Sequence, residues 1–189
     1  GDLAKPLLGL TPDHFEQLAR VVDVIYHCGA TVNFLQPYAT LKAPNVLGTQ
    51  EVLRLATRSR LKPVHHVSSF YVFSRFEYTA GQVLSEDDIP RHDLTFTVGY
   101  TQSKWVAEQL VMLARSRGVP VSIYRPGRVS GDSRSGACQA HDFMWQSIKA
   151  GIEVGCGPDL EMLLDMAPVD FVADAIVELS RRSGTLGKA

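Results

Sequence analysis

Ser69, Tyr100 and Lys104 are the residues whose types and spacing in this chain suit a reaction. Tyr100 and Lys104 stand four apart in Gly99-Tyr-Thr-Gln-Ser-Lys-Trp-Val-Ala-Glu108, so on a helix they share one face, about one turn from each other. An ammonium there is expected to lower the phenol's pKa and let it exchange a proton with a carbonyl oxygen. Reduction of a carbonyl by hydride needs such a donor where negative charge develops. Ser69, at the end of an apolar strand-like run, can help hold that oxygen, and Lys104 can relay a proton. A plainer reading of the pair is a surface tyrosine packed on a lysine stem. The serine and the α/β pattern around all three favour the chemical reading.

Three strand, loop and helix units are expected to position these groups. Thr11-Pro12 reads as an N-cap with proline at the first helical position, opening a short helix to about Arg20. Val21 to His27 reads as a buried strand, and Asn45 to Arg58 as a helix with one covered face. Val64 to Val67 is the next strand, leading to Ser68 and Ser69, and a helix from about Thr101 to Arg117 is capped by Gly118. Val119 to Tyr124 is the third strand. Residues 74–98 read as a surface excursion, residues 130–137 as a polar loop, and helices are expected around His141 to Ala150 and after Pro168. Apolar strands flanked by amphipathic helices argue an open parallel α/β sheet. Ligands bind beyond the carboxyl ends of such strands, so His27 to Ala30, Ser68 to Ser69 and Arg125 to Gly127 are expected to line one crevice.

The bulk composition excludes some partners. The chain has 189 residues, 45% of them hydrophobic and 21% charged, with a formal net charge of -1. No face clusters lysines and arginines as a nucleic-acid footprint does, and Arg54, Arg58, Arg60 and Lys62 read as the solvated side and C-terminal end of a helix. No apolar run is long enough to cross a membrane. Cys28, Cys138 and Cys156 are spaced too widely for a local zinc knuckle and are odd in number, which suits a reducing, cytoplasmic setting and no metal. His65 and His66 are adjacent, so on a strand they point to opposite faces and do not chelate. Asn45 suits two readings equally, a helix N-cap or a group steadying a water that serves Lys104. Asp2 can accept from an adenine amine or remain a solvated side chain.

Several stretches together resemble the extended short-chain dehydrogenase/reductase superfamily, and within it the thioester reductase domains of nonribosomal peptide and polyketide synthases and of carboxylic acid reductases. They are Gly1-Asp-Leu with Pro6 to Leu10, His27 to Asn33, Asn45 to Thr49, His66 to Ser69, Gly99 to Trp105, Tyr124 to Asp132 and Pro168 to Asp174. The resemblance implies Ser69, Tyr100 and Lys104 as catalytic residues, with Asn45 as a fourth member. It implies Asp2 at the adenine and Cys28, Gly29 and Ala30 beneath the middle of NADPH. It also implies Pro126, Gly127 and Val129 at the nicotinamide and Lys104 at its ribose. The implied reaction is NADPH-dependent reduction of an acyl or peptidyl thioester, carried on a phosphopantetheinylated carrier protein, to an aldehyde or on to an alcohol. A sugar-nucleotide epimerase or dehydratase of the same superfamily, or a non-catalytic Rossmann-like binding piece, are the rival readings.

The chain departs from that family at its start, where the glycine-rich loop and the first βαβαβ half do not appear. The expected fold is therefore α/β, a Rossmann-like parallel sheet with flanking helices that lacks this half. Residues 1–189 are read as a single domain, the C-terminal part of an NADP-binding reductase domain with a partial substrate-binding region at about 131–165. Such a piece is expected to belong to a larger multidomain enzyme and, by itself, to be poorly stable, paired through its sheet edge, or inactive.

Overall fold

The computed structural model describes residues 1–73, 83–90, 98–157, 159, 165–182 and 184. Most of the expected excursion at 74–98, and part of the region 131–165, lie outside these residues. The chain divides into two compact units, Gly1–Pro126 with Leu179–Ala189, and Gly127–Glu178.

In the first unit, β1 (Ile25–His27), β2 (Val64–Val67) and β3 (Val121–Tyr124) form a parallel sheet in that order. Ile25 pairs with Val64, which pairs with Val121; two residues on, His27 pairs with His66 and His66 with Ile123. Period-two alternation therefore puts both histidines on the same face as the valines. That face is covered by α3 (Gly48–Thr57) and α4 (Gly99–Ser116), with Val52, Ala56, Val111, Val119 and Ile123 in the core between them. Val111 and Val121 are completely buried, each contributing roughly 1.5–3 kcal/mol of apolar transfer. On the opposite face Tyr26 stacks on His65 at 4.8 Å, and the Tyr124 hydroxyl lies 2.9 Å from His65 Nδ1.

Helix α1 (Pro12–Val21) begins as the sequence indicates: Thr11 Oγ1 accepts from His14 N, and Pro12 takes the first helical position. Its Phe15 and Ala19 are buried against Leu55 of α3. Two expectations change here. Helix α1 keeps Val21, because Phe15, Leu18 and Ala19 extend the apolar stripe, and the strand shrinks to Ile25–His27. Lys62 is not solvated; it is completely buried, and its Nζ donates to the carbonyls of Leu55, Arg58 and Arg60 at 3.2, 2.8 and 2.8 Å. It thus satisfies orphan carbonyls at the C-terminal end of α3.

The helical crossover from β1 to β2 begins earlier than Asn45. It runs from α2 (Tyr38–Lys42) through a π-helical turn (Ala43–Leu47) into α3. Pro44 has no N–H for the regular ladder, and the wider turn accommodates it.

The second unit holds β4 (Arg128–Ser130) paired in parallel with β5 (Met166–Pro168), followed by most of α6 (Val169–Arg181), and α5 (Phe143–Val154). Part of the expected polar loop is thus strand. Asp142 caps α5 by accepting from Met144 N, and Gly155 ends it in the left-handed region at φ 74°.

Candidate active site

Ser69 follows β2 directly, and the end of β3 holds it in place. Ser68 N donates to Tyr124 O at 2.7 Å and Phe70 N to Pro126 O at 2.9 Å, on either side of Ser69. Its Oγ accepts from Tyr71 N at 3.3 Å and lies close enough to the Tyr100 phenol to pull the phenol's pKa down. Tyr100 opens α4 and its ring meets Phe34 edge-on at 5.3 Å. One turn along, Lys104 Nζ donates to Val67 O at 2.9 Å, on the strand that leads to Ser69. All three side chains are buried. Pairing across β2 and one helical turn of α4 thus bring Ser69 to two residues that follow it by 31 and 35 positions in the sequence.

The electrostatics differ from the sequence expectation in one respect. Burial raises the Tyr100 pKa, Ser69 opposes this and Tyr71 adds to it. The phenol is therefore not the lowered acid that its spacing from Lys104 suggested. Desolvation outweighs the rest, because the ring is enclosed and the ammonium is turned towards Val67 O. Lys104 is itself lowered to about 8, chiefly by burial, with Glu108 and Cys28 offsetting part of that effect.

Asn45 is not a helix cap. It lies inside the π-helical turn, buried, and its Oδ1 accepts from Thr31 N at 2.7 Å. Its Nδ2 donates to Thr31 O at 3.0 Å and to Ser103 Oγ at 2.9 Å. It therefore ties the loop after β1 to the residue preceding Lys104. Thr49 Oγ1 donates to Asn45 O, which commits its one hydroxyl proton. It must then accept from His27 Nε2 at 2.9 Å, placing the proton of this imidazole on Nε2.

The other expected residues are placed as follows. Cys28 and Gly29 are exposed in the loop after β1, next to half-buried Ala30. Burial raises the Cys28 thiol and Lys104 pulls it down, which puts the thiol within the field of the ammonium. Asp2 Oδ1 accepts from Ala4 N at 2.9 Å and Oδ2 lies 3.5 Å from Lys5, so the carboxylate closes its own turn. Pro126 is tied to Phe70 beside Ser69. Gly127 and Val129 belong to the second unit, where Val129 pairs with Ala167.

Sequence reasoning gave two groups no place around Lys104. His27 and His66 lie behind Lys104, their rings 5.2 Å apart. Burial and then Lys104 lower His27 to about 4, and burial takes His66 well below its ordinary value. Neither ring nitrogen of His66 has a hydrogen-bond partner among the described residues. The second group is Glu108, one turn beyond Lys104 and bonded to Arg125. Its signal was present in the sequence, since Tyr100, Lys104 and Glu108 repeat every four residues.

The residues fit the nicotinamide-ribose part of the dinucleotide that the resemblance implies. Lys104 uses one of its three N–H donors on Val67 O, and the strand-end loop at residues 28 and 29 is exposed beside it.

Comparison with known proteins shows the relatives of this chain. The chain is 52% identical over 180 residues to a linear gramicidin synthase polypeptide of Brevibacillus parabrevis, covering 95% of this chain and 4% of that protein. The terminal R domain from the myxalamid PKS-NRPS biosynthetic pathway superposes with a TM-score of 0.92 at 47% identity, covering 100% of this chain and 47% of that one. The reductase (R) domain of a nonribosomal peptide synthetase from Mycobacterium tuberculosis gives a TM-score of 0.77 at 30% identity, over 95% of this chain and 45% of that one. The chain thus spans about half the length of these solved domains and a small part of the synthase. The profile of an NAD-binding family described as Male sterility protein matches residues 1–176. With that match running through β1 to β5 and every site residue, the chain belongs to this family and shares the reductase-domain fold of peptide and polyketide synthases.

Proposed function

We propose that the chain is the catalytic core of an NADPH-dependent reductase that releases a carrier-bound acyl or peptidyl thioester as an aldehyde. The observation that carries this reading is buried Ser69 beside the Tyr100 phenol, with Lys104 one turn along α4, in a chain 47% identical over its whole length to a synthase R domain. NADPH, when bound, supplies the hydride. Ser69 and Tyr100 present hydroxyls to the carbonyl oxygen as negative charge develops there. Tyr100 is protonated at neutral pH and can give its proton to that oxygen, although burial works against its ionisation. The Lys104 ammonium stabilises the tyrosinate this leaves and can hold the ribose hydroxyls. The resulting hemithioacetal collapses as its C–S bond breaks, giving the aldehyde and returning the carrier thiol with its proton. Cys28 takes no covalent part.

The partner in this reading is a phosphopantetheinylated carrier domain of a larger cytoplasmic enzyme, and the second unit carries part of the substrate region. Among the described residues no helix is long and apolar enough to cross a membrane.

The test is oxidation of NADPH in the presence of an acyl-pantetheine thioester, followed by its absorbance, with the aldehyde trapped and identified. Tyr100→Phe is expected to lower the rate by about 100-fold or more while the protein still binds NADPH. Binding of NADPH with no turnover, and no effect of Tyr100→Phe, would leave a binding domain in place of an enzyme.

A further inference from the structure

Glu108 is completely buried, one turn beyond Lys104 on α4. Arg125 grips one of its oxygens twice, Nε at 3.1 Å and an Nη at 2.8 Å from Oε1, while Oε2 has no hydrogen-bond partner among the described residues. The guanidinium is itself fixed: its other Nη donates to Glu86 O at 3.3 Å, and its carbon lies 4.9 Å from the centre of the Phe73 ring. The pair is nearly dry, with side chains 9% and 0% exposed. Burying an ion pair brings little net stability, and an unshared carboxylate oxygen makes it costlier. The fold nevertheless keeps this charge at the next turn from the ammonium of the site.

We propose that Glu108, anchored by Arg125, is a positioning residue for Lys104, holding its ammonium charged and directed along the strand end towards Val67 O and the cofactor. This rests on the reductase reading for the role of Lys104. The other titratable groups that Lys104 meets are His27 and Cys28 at the end of β1, His66 on β2 and Tyr100 on its own helix. The two histidines are neutral near pH 7, so they add no charge beside Lys104. Glu108 supplies the negative charge that opposes desolvation of Lys104, with Cys28 second.

The experiment measures NADPH binding by nicotinamide fluorescence as a function of pH, without acyl substrate, in the full-length protein that carries this chain. Wild-type affinity is expected to weaken as pH rises through about 8, where Lys104 loses its proton. In Glu108→Gln that midpoint is expected about one unit lower, and Glu108→Asp should restore much of it. A Glu108→Gln protein that keeps the wild-type midpoint, however much its affinity or melting temperature falls, overturns the proposal and leaves Glu108 a structural residue. If Glu108→Gln does not fold, Glu108→Leu with Arg125→Met replaces the buried pair by apolar side chains, and the same midpoint is read. A wild-type protein that binds no NADPH at any pH overturns this proposal together with the reductase reading.

Discussion

In the proposed mechanism, Tyr100 and Lys104 divide the work of the site by protonation state. The phenol stays protonated well above neutral pH because burial raises it, whereas Lys104 carries its charge below about 8 and loses it above. Thioester reduction is therefore expected to decline as pH rises through about 8, which a pH profile of kcat/KM would measure. Lys104→Arg keeps a permanent charge, so the same profile should lose that limb even if the maximal rate falls. A limb that survives the arginine substitution belongs to another group.

At the scale of elements, α4 is positioned by the way its first turn is packed. A Cβ added at Gly99 would meet the backbone of Pro37 and Tyr38 at 2.6 and 2.5 Å, so only glycine lets α4 start against the first residues of α2. Gly99→Ala is expected to cost about 2 kcal/mol or more, and to reduce turnover beyond its effect on folding because Tyr100 is the next residue. Urea denaturation read beside kcat separates the two effects. The π-helical turn is a second positioning device. Asn45 within it uses both ends of its amide, so Asn45→Ala leaves Thr31 and Ser103 without this partner. That substitution is expected to destabilise the protein by about 1–3 kcal/mol, measured by the same denaturation series.

Across the whole molecule, the buried histidines of the sheet face link stability to pH. In the unfolded chain His27 titrates near 6.5, and in the folded protein at about 4. Between these values the unfolded state binds the proton more readily, so stability is full above pH 6.5 and is lost as pH falls towards 4. His27 by itself accounts for a loss of about 2 kcal/mol between pH 7 and pH 5, and His66 acts in the same direction. Denaturant midpoints at the two pH values would measure it. Equal stability at both would mean that the histidines are hydrated or exchange with another packing.

Much of the site was legible in the sequence where one element suffices to define it. Tyr100 and Lys104 share a turn because an α-helix repeats every 3.6 residues, and Thr11-Pro12 caps α1 through contacts within a few residues. Parallel α/β architecture and the strand-end position of Ser69 also followed from local pattern. The sign of the Tyr100 shift, the buried state of Lys62 and the hydrogen-bond partners of Asn45 did not. These depend on what lies around a side chain after the chain has folded back on itself: Thr31 and Ser103 around Asn45, Val67 beside Lys104, Arg125 against Glu108. The β4–β5 pairing, between segments 38 residues apart, was hidden for the same reason. Spacing along one element is a local property that residue order specifies, whereas desolvation and cross-strand pairing come from distant segments, and only the tertiary structure brings those together.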